Sequence, residues 1–230
     1  MSGVGTSTAI RFCDLLTPEW LTAIGTMGAV VVALVLALWG EKIGHLVVRP
    51  KLSLRARVGR PDSERTQRQT NTGASAGIAY FFRLAVRNRG NAAAHDVQVY
   101  LDSVERIING KPEKVTEYTP MNLVWAYRGS ATLPTLLPDM PPTYCDLAHV
   151  DEPMPRRNLE EQREASLVLD VEFPPNTGGH VLGAGTYYFR LILASANCRP
   201  RYYKLEVIFP GSWLANEQKM FDVGFKMRCV

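Results

Sequence analysis

Cysteine and histidine are scarce in this chain of 230 residues, four of each. Cys13, Cys145, Cys198 and Cys229 stand far apart with no C-x-x-C pair. That spacing excludes a disulfide-dense secreted domain and leaves room for at most one bridge among the last three. His45, His95, His149 and His180 are equally dispersed. There is no Walker loop, no G-x-G-x-x-G and no H-E-x-x-H, so nucleotide-cradling and zinc-protease chemistry have no anchor. The chain also lacks N-x-S/T acceptors, which agrees with a bacterial or cytosolic domain. Its charge excess is small, +4, which argues against a dedicated nucleic-acid binder.

One local pair deserves a chemical reading. Cys145 and His149, in YCDLAH beside Asp146 and Asp151, would share one face of a regular strand. They amount to half a zinc site with no second half in view. The expectation is a core thiol and a surface imidazole, with no metal and no cofactor.

Against these absences stands one long apolar run. Trp20 to Gly40 (WLTAIGTMGAVVVALVLALWG) contains no charge. A helix of about 20 residues spans roughly 30 Å, the hydrocarbon thickness of a bilayer. Trp20 and Trp39 sit at its ends, where amphipathic indoles favour the interface. The run is too long for a signal-peptide core, and Arg11, Asp14 and Glu19 do not make a basic leader. A retained transmembrane helix over 20–40 is expected, after a short tail over 1–19. Within it Gly25, Ala29, Ala33 and Ala37 recur every fourth residue, a small-residue stripe that suits close packing of two helices.

Residues 41–50 form a basic juxtamembrane segment that continues the helix until Pro50 stops it. Lys42, Arg49 and Lys51, with Arg55, Arg57 and Arg60, load that side with positive charge. The positive-inside rule then places the N-terminus outside and the C-terminal domain in the cytoplasm of a single-pass inner-membrane protein.

The remainder, 51–230, reads as short strands broken by Gly and Pro. Lys51 to Val58 and Ile78 to Arg87 alternate cleanly, and Asn109-Gly110 marks a hairpin. Val97, Val99 and Leu101 begin a further strand, and others are expected near Ser103 to Ile108 and at 114–118, 122–127, 144–150, 166–173, 186–194, 202–209 and 221–229. The polar stretch 59–76 reads as a loop, and the charged run Arg156 to Glu164 as a solvated loop or short helix. A short helix is expected over 212–220 with Ser212 as N-cap. This pattern is mainly β, most simply a sandwich, with an open barrel as the alternative.

Val86-Arg-Asn88-Arg-Gly90-Asn91, followed by Ala94 and Val97-Gln-Val99, resembles the V-x-N-x-G…A…V-x-V signature of bacterial Ig-like domains of the cell-adhesion-related type. There it marks two adjacent strands and their turn. Gly185-Thr-Tyr187-Tyr-Phe189-Arg-Leu191 is similar to a late strand of those domains. The resemblance implies an Ig-like sandwich and no particular ligand.

For function, the architecture and the missing catalytic motifs suggest a non-enzymatic, membrane-tethered interaction module, of a design that also suits a sensor or effector of membrane stress or defence. Its partners would be the bilayer, a second copy through the helix, and a protein or small ligand. Trp125, Tyr127 and Arg128, of residue types that anchor interfaces, are candidates for the contact surface, although Trp125 also suits the core. The alternatives are an enzyme built around His95, Asp96, Cys145 and His149, and an envelope structural protein with the sandwich outside.

Overall fold

The computed structural model of the chain describes residues 18–47, 49–69, 75–153 and 165–230, with side chains for all of these except 18–19, 39–47, 69 and 75–76. The chain divides after Val48 into two compact units, Met1–Val48 and Arg49–Val230.

The described part of the first unit is one helix, α1 (Pro18–Val47). Proline at its first position forfeits only an N–H that has no helical acceptor anyway. The helix ends three residues before Pro50, whose ring would clash with the preceding turn. Trp20–Leu38, 19 residues, is long and apolar enough to cross a membrane, and none of it is buried. Thr26 folds its hydroxyl back onto Thr22 O at 2.8 Å, so its polar group is satisfied within the helix.

The second unit is a sandwich of two antiparallel sheets. The first sheet contains β1 (Leu52–Ala56), β2 (Ser63–Gln69), β3 (Ser75–Asn88), β7 (Val124–Trp125), β9 (Thr143–Asp151), β10 (Leu167–Leu169) and β11 (Val181–Leu182). The second contains β4 (Ala94–Ile108), β5 (Lys111–Lys114), β6 (Met121–Asn122), β8 (Thr132–Leu136), β12 (Gly185–Ser195), β13 (Cys198–Phe209) and β14 (Lys226–Cys229). The alternation read from sequence sets the inner faces. Tyr80, Phe82, Leu84 and Val86 of β3 are fully buried opposite Val99 and Leu101 of β4, Phe189 and Leu193 of β12, and Leu205 and Val207 of β13. A bulge between the β4 and β12 registers lets Leu101 and Val104, three apart, both enter the core. Asn109 and Gly110 take positive φ, 52° and 78°, as the expected β4–β5 hairpin demands.

The resemblance motif lands on a connection between sheets rather than a hairpin. β3 ends the first sheet at Asn88, and β4 opens the second at Ala94. The buried Asn88 carboxamide builds the arch between them. Its Oδ1 accepts from Lys51 N and Gly90 N at 3.1 and 3.0 Å. Its Nδ2 donates to Ala92 O and Leu136 O at 2.6 and 3.0 Å. Gly90 is required here by close approach, because a Cβ would sit 2.7 Å from Pro50 Cα and nearer still to Arg49 O.

Several expectations are corrected: the strand expected at 114–118 lies at Lys111–Lys114, and the one expected over 221–229 begins only at Lys226, after a helical turn. The stretch 59–76 is not all loop: Ser63–Gln69 is an edge strand along β3. It carries no apolar alternation because an edge strand rich in charge is protected against further pairing. The helix expected over 212–220 shrinks to α2 (Glu217–Lys219), capped by Asn216 and followed by a wider helical turn over Met220–Gly224. Tyr80 OH donates to Leu214 O at 2.9 Å, and Trp213 packs on the Tyr80 ring at 4.6 Å. Those contacts tie the segment around Trp213 and Leu214 to β3. The charged run Arg156 to Glu164 lies outside the described residues.

Candidate functional site

The strongest grouping of polar side chains lies on the outward face of the first sheet. Arg83 is at its centre, its side chain only 4% exposed. Strand alternation turns it away from the core between Phe82 and Leu84, and it stays buried because three partners close over it. Its Nε donates to Asp146 Oδ1 at 2.7 Å. Its Nη1 reaches Glu64 Oε1 at 2.8 Å and Tyr127 OH at 2.7 Å. Tyr127 OH donates in turn to Glu64 Oε1 at 2.6 Å. The guanidinium also lies over the Tyr127 ring, 4.6 Å from its centroid.

Trp125 explains how Tyr127 arrives there. Its indole is fully buried and donates to Val97 O and Ala131 O, both at 3.2 Å. Its backbone closes a tight turn with Ser130 O and Arg128 N. Tyr127 takes φ 62° in that turn and is 80% exposed. A core tryptophan therefore presents a surface tyrosine. Of the three candidate contact residues, Tyr127 and Arg128 are on the surface and Trp125 is in the core.

A second cluster adjoins the first. His149 Nδ1 donates to Asp170 Oδ1 at 2.8 Å, and its Nε2 faces Asp151 and Arg68. Arg68 Nη1 holds both Asp151 oxygens, at 2.8 and 2.7 Å. The imidazole stacks on Phe81 at 5.3 Å. Cys145 is the core thiol expected, but the face it was read to share with His149 is corrected by a bulge in β9. Asp146 pairs with Arg83 and Ala148 with Phe82, so Leu147 is the extra residue. Cys145 consequently faces the core, whereas His149 shares the outward face with Phe81. A sequence spacing of four does not reveal that inserted residue.

The electrostatics follow from burial. Burial pushes the Asp146 carboxyl up to about 6, against the pull of Arg83. Burial lowers the His149 pKa, but hydrogen bonds to Asp151 and Asp170 outweigh it and hold the imidazolium up to about 9. Glu64 and Asp151 end below the usual carboxylate range, because hydrogen bonds and cations outweigh their partial burial. Burial drives the Cys145 thiol well above its ordinary value, which makes it a poor nucleophile.

The His149 charge has a stability consequence. Its folded pKa lies above an unfolded value of about 6.5. The stabilisation is therefore complete below about pH 6.5 and is lost as pH rises through about 9. Urea unfolding of the detergent-solubilised chain is expected to give a lower midpoint at about pH 10 than at about pH 6.5. His149→Gln is expected to flatten that difference; an unchanged pH slope in the variant would refute the assignment.

The suggested grouping of His95, Asp96, Cys145 and His149 is not formed. His95 and Asp96 are exposed at the start of β4 in the other sheet, and Cys145 and His149 lie on opposite faces of β9. An expected absence of G-x-S-x-G is corrected by the sequence itself, which spells it at Gly73-Ala74-Ser75-Ala76-Gly77. Ser75 opens β3, a strand paired antiparallel with β2, and is not followed by the helix of a hydrolase elbow. Among the described residues no group of three or more His, Cys, Asp or Glu could hold a metal ion. The described cysteines, Cys145, Cys198 and Cys229, are free.

The residues expected at the membrane lie elsewhere in the chain. Gly25, Ala29, Ala33 and Ala37 are on α1 and exposed, as is Trp20. The side chains of Trp39 and Lys42 fall outside the described residues. Arg49 and Lys51 are exposed at the start of the sandwich. Comparison with known protein families, curated proteins and solved structures finds no match.

Proposed function

We propose that this chain is a membrane-tethered, non-enzymatic interaction module. Its helix crosses the inner membrane once, its N-terminus lies outside, and its sandwich works in the cytoplasm. The observation that carries the reading is the 19-residue apolar stretch Trp20–Leu38, every residue of which is exposed. An apolar surface of that extent calls for lipid or another helix around it. The orientation rests on the basic residues that follow the helix. The contact face is the outward side of the first sheet, where Tyr127 offers a rigid aromatic platform braced by Arg83 and rimmed by carboxylates. Tyrosine of this kind supplies large contact area at low entropic cost. Its occupant is a protein or small ligand.

The small-residue stripe adds self-association through the helix. In a transmembrane dimerisation reporter, Gly25→Leu and Ala33→Leu are expected to reduce the signal severalfold, because bulk on that face separates the backbones. Full signal in both variants would remove self-association from the account. The tether and its orientation are tested by reporters fused after Val230, since the cellular side of that residue differs between this reading and an envelope protein with an external sandwich.

A further inference from the structure

One pole of the sandwich, the end that holds its first residues, combines exposed cations with exposed aliphatic side chains. Arg89 N donates to Lys51 O, and Asn91 N to Arg49 O, so the first residues of the sandwich lie against the β3–β4 arch. Arg87 is paired with Ser53 on the outward face. Arg49, Lys51, Arg87 and Arg89 are all exposed. The 137–142 loop lies beside this arch, tied to it through the Asn88–Pro138 bridge and the Asn88 Nδ2 bond to Leu136 O. Of the four apolar residues around the loop, Leu133 and Leu136 are buried, but Leu137 and Met140 are 52% and 54% exposed. Pro138, Pro141 and Pro142 stiffen their presentation. The one acid of that loop, Asp139, is outnumbered by the four cations.

We infer that this pole docks on an anionic bilayer surface, with Arg49, Lys51, Arg87 and Arg89 meeting lipid phosphates and Leu137 and Met140 entering the headgroup layer. The inference rests on the membrane tether proposed above. Chain geometry supports it. Nine residues of helix follow Leu38 up to Val47, which at 1.5 Å each carry the helix end about 14 Å beyond the span. A headgroup layer is about 5–8 Å thick. Arg49 follows two residues later, at most about 7 Å further along the chain, so the pole is tethered within about 16 Å of the lipid surface. Aliphatic side chains among lysines and arginines are the composition that interfacial binding uses, apolar insertion and anionic attraction acting together.

The test is hydrogen exchange of the full chain in nanodiscs of phosphatidylcholine alone and of phosphatidylcholine with phosphatidylglycerol. In the anionic discs, exchange over 137–142 is expected to slow about tenfold, as clustered cations close to the surface should produce. Arg87→Glu with Arg89→Glu, whose side chains are exposed and outside the core, is expected to abolish the slowing, as is high salt. Leu137→Ser with Met140→Ser is expected to weaken it. Equal exchange in both lipid compositions would overturn the docked pole while leaving the tether intact. Slowing in both compositions that grows with the number of chains per disc would assign the pole to a second copy and overturn the lipid assignment. Failure of the chain to enter discs of either composition would overturn the tether itself.

Discussion

Arg83→Ala is expected to destabilise the sandwich by about 3–5 kcal/mol, the usual effect of removing one partner from a buried ion pair. The guanidinium is nearly inaccessible, and the carboxylates around it are the reason. Asp146 is 13% exposed and Glu64 29%. Without Arg83, the buried Asp146 charge has no compensating cation at bonding distance, and Tyr127 loses the donor that fixes its hydroxyl. The loss depends on pH in a defined direction. Asp146 already titrates near 6 with Arg83 present, and removing the cation raises that value further. The variant's deficit should therefore shrink at about pH 5, where the carboxyl is protonated and its desolvation is less unfavourable. Urea midpoints of parent and variant at about pH 5 and 8 measure this. A deficit under about 1 kcal/mol at both would mean that the network is a surface arrangement of little energetic weight.

Asn88→Ala should destabilise the fold by a similar amount, about 3 kcal/mol or more. The carboxamide makes four hydrogen bonds, to Lys51 N, Gly90 N, Ala92 O and Leu136 O. Removing it leaves several backbone groups without partners at a buried site, each worth about 1–3 kcal/mol where water cannot replace it. The arch also joins the first strand, the crossover between sheets and the 137–142 loop, so its loss loosens all three. Gly90→Ala should act in the same direction, since the added Cβ meets backbone of Arg49, Pro50 and Lys51. Thermal or urea unfolding checks both. Near-parental stability in Asn88→Ala would show that water takes over the bonds and that the arch is held by strand pairing alone.

Much of this was legible in the sequence because it depends on local periodicity. The apolar run that became Trp20–Leu38, the alternation of β3 and the Asn109-Gly110 turn are each set by neighbours in the chain. The V-x-N-x-G run was visible too, although its meaning as an arch between sheets depends on which sheet each strand joins. What stayed hidden depends on long-range pairing. β2 (SERTQRQ) has no apolar alternation to announce it, and only the partner strand β3 makes it a strand. The bulge at Leu147 moves His149 to the face opposite Cys145 without a trace in spacing. Arg83 resembles any polar residue of an alternating strand, yet it is the buried centre of the site because Glu64, Tyr127 and Asp146 arrive from three other segments. Trp125 shows the same limit: as an interface type it suits a contact surface, but its position in the core is what brings Tyr127 out.

The membrane tether with a cytoplasmic sandwich is the central claim, and the cellular side of Val230 tests it most directly. Two fusions after Val230 in bacterial cells, one to green fluorescent protein and one to alkaline phosphatase, report opposite compartments. Membrane-bound fluorescence without phosphatase activity is the predicted result. Phosphatase activity without fluorescence would place the sandwich outside and contradict the orientation drawn from the basic flank, and fluorescence in the soluble fraction would contradict the tether.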